Sequence, residues 1–218
     1  MTNAVTVEHA SKRFKEVKAL DDVTLSFEQG RIHGIIGRNG SGKTVLLKCI
    51  CGFMKLTEGS IRVFDQPVKE ASAQDIGIII EAPGFIGSLS AVRNLEQLYS
   101  LRHKKVDKEL LSSVLQKVGL DPQNKKPVRK YSMGMKQRLG IAQAIMEDAP
   151  LLLLDEPMNG LDNQGVADMR KLFLQLKTEG KTILLCSHNR EDIAILCDTV
   201  CELDHGKVIS REDCAKSK

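Results

Sequence analysis

The rhythm of apolar and polar positions changes along the chain, and each rhythm predicts a different element. Val5–His9 and Val23–Phe27 alternate apolar with polar residues, as antiparallel strands with one wet face do. Ser60–Asp65 is expected to join them in an antiparallel β-subdomain. Arg31–Gly37, Leu151–Asp155 and Thr182–Cys186 are instead short continuous apolar runs, which suit strands covered on both faces of a parallel sheet. Ile78–Ile80 is a similar run ending at Glu81. Helical spacing predicts helices at Val45–Cys51, Leu89–Leu101, Lys108–Val118, Leu139–Met146 and Gln164–Thr178. Strands follow near Thr199–Leu203 and Lys207–Ser210. The stretch Phe85–Glu147 contains no strand run and passes through a turn-rich segment, Asp121–Lys130. Basic clusters at Ser11–Lys15 and Lys125–Lys130 read as solvated loops. The expected architecture is one α/β domain over residues 1–218. Its core and β-subdomain take about 1–84 and 148–218, and an inserted helical subdomain takes about 85–147.

The predicted strand ends carry the chemistry. Gly37-Arg38-Asn39-Gly40-Ser41-Gly42-Lys43-Thr44 follows the first buried strand and opens the first helix, the spacing G-x-x-x-x-G-K-[ST] of a phosphate-binding P-loop. Strand, glycine loop and helix start aim backbone N–H groups at an anion, and the helix dipole adds to the attraction. In this arrangement Lys43 neutralises the β- and γ-phosphates and Thr44 offers a hydroxyl to Mg²⁺. Leu151–Leu154 then runs into Asp155 and Glu156. Asp155, at the strand tip, is placed to hold the Mg²⁺ water shell; Glu156 is placed to polarise an attacking water.

Between these lies Tyr131-Ser132-Met133-Gly134-Met135, followed by Lys136-Gln137-Arg138. A serine before a helix is a cap by itself, and a capping serine also points free N–H groups at an anion. Here the chain resembles the ATP-binding cassette (ABC) ATPases, whose signature Leu-Ser-Gly-Gly-Gln aligns with Tyr131–Met135 and retains Ser132 and Gly134. The likeness runs from about Val5 to Val208 through motifs in the family's order. Asn159–Asp162 matches the loop that crosses between protomers, and Cys186–Asn189 matches the switch-histidine loop. The resemblance implies a P-loop NTPase fold with a RecA-like core, ATP and Mg²⁺ as ligands, and a dimer, homodimeric or paired with a second cassette, sandwiching two ATP. It implies that His188 hydrogen-bonds the γ-phosphate, that Phe14 stacks on adenine, and that Ser132 and Gly134 reach the partner's nucleotide. It also implies separate transmembrane permease subunits, a cytoplasmic position on the inner face of the membrane, and no nucleic-acid partner.

Departures from the family pattern narrow the reading. Val45 stands where the family often has a second hydroxyl at the α-phosphate, a loss of roughly 0.5–1.5 kcal/mol. Glu81 stands in place of a loop glutamine and is either a Mg²⁺ ligand or a solvated strand end. Met135 removes the signature's amide. The run from Tyr131 to Gly140, with Glu81, is similar to cassettes of the bacitracin and lantibiotic self-protection exporters. The alternative is a soluble cassette acting on ribosomes or DNA, though the paired cassettes or coiled-coil insertion usual there are absent. A GTPase would need Asn-Lys-x-Asp, and Asn124-Lys125-Lys126-Pro127 lacks the acid. Composition agrees with a packed α/β core: 42% hydrophobic, 4% aromatic and no Trp. The net charge of +4 is too small to select an anionic partner. The six cysteines show no metal-ligand spacing and read as reduced, apolar residues. Met1–Ala10 carries no signal-peptide core.

Overall fold

The computed structural model describes residues 2–68, 76–81 and 84–214. Ala82 and Pro83, which follow Glu81 in the expected loop, lie outside the described residues. Strands β1 (Asn3–Phe14) and β2 (Val17–Glu28) form a hairpin, and β3 (Ile32–Ile36) leads into helix α1 (Lys43–Ile50). Then come β4 (Glu58–Val63), β5 (Gln66–Pro67) and β6 (Ile76–Ile79), followed by helices α2 (Ala91–Ser100), α3 (Lys108–Lys117) and α4 (Met133–Ile145). The chain closes with β7 (Leu151–Asp155), α5 (Asn163–Thr178), β8 (Thr182–Cys186), α6 (Arg190–Leu196), β9 (Thr199–Asp204) and β10 (Lys207–Asp213).

A six-stranded sheet has the order β10-β9-β3-β8-β7-β6, and a smaller one has the order β2-β1-β4-β5. β9, β3, β8, β7 and β6 are mutually parallel, while β10 returns antiparallel on the edge. Parallel strands share one carboxyl edge, so the loops after β3, β6, β7 and β8 open on the same side. That is the side on which ligands sit in open α/β sheets.

Why the central strands are apolar throughout is plain from their two faces. Along β7, Leu152 and Leu154 pack toward a cluster with Leu139, Ile141 and Phe173; Leu151 and Leu153 pack toward Leu46, Leu47 and Val7 on the other side. Along β8, Ile183 and Leu185 join the first cluster, and Leu184 and Cys186 join the second. Truncating one such fully buried leucine to alanine costs about 2–5 kcal/mol. The cysteines behave as apolar filling: Cys49, Cys51, Cys186, Cys197 and Cys201 are buried thiols. Burial pushes the Cys197 and Cys201 thiols up to about 12, which leaves them protonated and unreactive.

Two expectations need correction. β1 runs five residues past His9 to Phe14, so Ser11–Phe14 is not a loop: Lys12 pairs with Leu20 and Arg13 with Lys18. The basic side chains stay wet while the backbone is sealed into the sheet. The strands are interrupted in pattern because His9 and Asp22 adopt left-handed backbone angles (φ 48° and 56°) at shifts of register. Helix α6 is also present where no helix was expected, started by Asn189, whose side chain accepts from Glu191 and Asp192 N–H.

His33 on β3 is fully buried. Its Nε2 donates to the Glu28 carbonyl at 2.8 Å, so Nδ1 is the acceptor of the Thr199 hydroxyl at 2.7 Å. Burial pushes its pKa below the ordinary value. The unfolded chain therefore takes up this proton more readily, and stability falls as pH drops below about 6.5. His33→Gln, which keeps a donor, is expected to flatten the decline in melting temperature between about pH 7 and pH 5. An unchanged slope would contradict this role.

Candidate functional site

The P-loop backbone accepts glycine alone at its tightest points. Gly37 lies at φ 148°, and a Cβ there would sit 2.2 Å from the Leu203 carbonyl oxygen; at Gly42, φ 108°, it would sit 2.5 Å from the Ala19 oxygen. Gly42 starts α1 without a side-chain cap. By contrast α2, α3, α4, α5 and α6 begin on Ser90, Asp107, Ser132, Asp162 and Asn189, each accepting from a backbone N–H. The first N–H groups of α1 are thus left for a ligand. Buried Lys43 folds its ammonium onto the loop, donating to the carbonyls of Gly37 at 2.7 Å and Arg38 at 3.1 Å. The hydroxyl of Ser41 is buried inside the same loop with no partner. A loop with free donors, an orphaned hydroxyl and a buried cation is complementary to phosphate.

Ser41, Gly42 and Lys43 border a cleft of about 550 Å³ that Asn39, Gly40, Thr44, Val45, Asp155 and Glu156 also line, while Gly37 and Arg38 lie outside that lining. Thr44 donates its hydroxyl to Asp155 Oδ2 at 2.6 Å across 111 residues of sequence. This pair of oxygens is the donor chemistry a hard divalent cation takes, and it fits Mg²⁺. Glu156 follows at φ 48°, a strained left-handed angle for a long side chain. Hydrogen bonds at both backbone and side chain hold it there. Its N–H donates to the Cys186 carbonyl at 2.9 Å, its Oε2 accepts from His188 Nδ1 at 2.9 Å, and Gln137 Nε2 donates to its carbonyl at 3.3 Å and to that of Pro157 at 2.9 Å.

The remaining sequence-predicted residues are placed less uniformly. Ser132 caps α4 by accepting from Met135 N–H at 3.2 Å, and Gly134 packs against the Gly160 carbonyl. Neither lines the cleft of its own chain, although Met133, Lys136 and Gln137 from the same helix do. Glu81 lies on the cleft wall and its Oε1 accepts from Lys48 Nζ at 2.5 Å. Phe14 is 43% exposed at the hairpin end, outside the cleft lining, with Lys12 Nζ over its ring at 5.2 Å.

The sequence alone assigns no role to Lys48 or Gln137. Their signal was helical spacing: Lys48 lies one turn after Thr44 on α1, and Gln137 one turn after Met133 on α4.

The ABC transporter sequence pattern matches residues 20–159. The chain belongs to the ABC transporter family. This ABC ATPase is 41% identical to the ABC transporter ATP-binding protein YybJ of Bacillus subtilis (strain 168), over 95% of its own length and 96% of the relative's. It is 37% identical to the bacitracin transport ATP-binding protein BcrA of Enterococcus faecalis, covering 96% of this chain and 69% of that one. It is 33% identical to the lantibiotic transport ATP-binding protein SrtF of Streptococcus pyogenes, covering 95% and 90%. These relatives carry the transporter reading, and not the soluble ribosome- or DNA-acting alternative. The ATP-binding cassette MJ0796, in a dimeric post-hydrolysis structure bound to ADP and Pi, matches with a TM-score of 0.89 over 96% of this chain and 98% of that one. At 23% identity that likeness is one of fold, and the fold is the P-loop NTPase cassette expected from the sequence.

Proposed function

We propose that this ABC ATPase is the ATP-hydrolysing subunit of an exporter of antimicrobial-peptide or drug-like cargo, acting as a dimer of cassettes on separate membrane subunits. The observation that carries the ATPase site is the meeting of Lys43, the Thr44–Asp155 pair and the Glu156–His188 pair at one edge of the sheet. In the proposed reaction Lys43 and the α1 N–H groups hold the phosphates. Glu156 takes a proton from the attacking water, and His188 fixes the carboxylate's orientation. Thr44 and Asp155 would hold Mg²⁺, which supplies positive charge to the phosphate oxygens. Glu81, on the same wall, is committed to Lys48 and is left out of the proposed metal site, while Phe14 is kept as an adenine contact once Lys12 moves off its ring.

Ser132 and Gly134 act on the nucleotide of a second cassette in this reading, and their exclusion from their own cleft supports it. A membrane partner is supported by a groove of about 420 Å³ between β6, α2 and α4, flanked by the exposed Phe53 and Leu101. Among the described residues, no helix is long and apolar enough to cross a membrane. Attachment to the inner membrane face would therefore run through that groove. The bacitracin and lantibiotic transport relatives support the class of cargo.

Lys43→Ala is expected to abolish detectable ATP binding in titration calorimetry, and normal affinity would refute the site. Asp155→Asn is expected to raise the Mg²⁺ concentration for half-maximal hydrolysis about 10–100-fold, the range seen when metal-site support is lost. An unshifted Mg²⁺ curve would remove Asp155 from the metal site.

A further inference from the structure

Glu81 is a carboxylate on the wall of a cleft otherwise suited to phosphate. Alone, it would repel a triphosphate and oppose binding. It is not alone, because Lys48 Nζ donates to its Oε1 at 2.5 Å. Lys48 stands on α1 one turn beyond Thr44, so the helix that offers N–H groups to phosphate also carries the counter-charge for the acid. Glu81 sits just past the end of β6 in a left-handed conformation, φ 64°, and it borders both the phosphate cleft and the groove beside α2.

We propose that Lys48 is a positioning residue for ATP binding: it holds Glu81 against the P-loop helix and cancels that carboxylate's charge beside the phosphate site. The proposal rests on the cleft being the ATP site. Lys48→Met keeps the length of the stem and removes the ammonium. MgATP titration at low ionic strength should then show affinity weakened about 2–5-fold, the scale of a partly exposed ion pair. The difference should shrink as salt rises. The double variant Lys48→Met/Glu81→Gln removes both charges and should return to the unaltered affinity. A merely structural lysine would lower the melting temperature, and the second substitution would not restore binding. An unaffected Lys48→Met, or a double variant as weak as the single one, overturns the proposal. If the unaltered chain binds no MgATP, the site reading itself fails, and the Lys48 role falls with it.

Discussion

Glu156→Gln is expected to bind ATP as tightly as the unaltered chain while hydrolysing it about 10²–10⁴-fold more slowly. The substitution keeps size and hydrogen-bonding reach but removes the group able to accept a proton. Its backbone supports are untouched: the Cys186 carbonyl still accepts its N–H, and Gln137 still reaches its carbonyl. Binding depends on Lys43 and the uncapped start of α1, neither of which contacts the altered side chain. The loss should therefore fall on turnover, with the nucleotide affinity unmoved. Phosphate release under saturating MgATP measures the first quantity, and calorimetry the second. Turnover within a factor of two or so of the unaltered chain would remove Glu156 from the role of base.

Ser132→Arg carries the second large effect. Ser132 caps α4, far in sequence from Lys43, and it does not line its own chain's cleft. Lost capping alone costs about 0.5–2 kcal/mol, which leaves the chain folded. In the proposed dimer, however, an arginine would intrude where the partner's phosphates must dock. ATP-dependent dimerisation and hydrolysis should both be lost, while ATP binding by the separate chain stays near normal. Mixing Ser132→Arg with Lys43→Ala chains should restore ATP-dependent dimers, because one of the two interfacial sites then joins intact halves. Failure of the mixture to dimerise, with each chain folded by circular dichroism, would argue against shared sites.

The sequence made the centre of the fold legible and its margins less so, for physical reasons. β7 and β8 were readable because a strand covered on both faces must be apolar at every position. β1 and β2 extend beyond their alternating stretches, since the left-handed residues His9 and Asp22 shift the register and break the alternation that marks a strand. α6 spans only Arg190–Leu196, too short for helical spacing to declare itself. At the site, the P-loop was legible because its glycines and lysine are fixed in local sequence. The Lys48–Glu81 contact joins residues 33 apart, and Gln137 reaches Glu156 across 19. Contacts of that kind are made by the packing of helix on sheet, which no local pattern encodes.

If ATP is held between two cassettes, the mass of Glu156→Gln in solution depends on nucleotide. Multi-angle light scattering with and without MgATP reads it. Glu156→Gln is expected to be a monomer without nucleotide and a stable dimer with it, and to stay a monomer under both conditions once Ser132→Arg is added. A Glu156→Gln chain that stays monomeric at saturating MgATP, or one that dimerises equally well with Ser132→Arg, would contradict it.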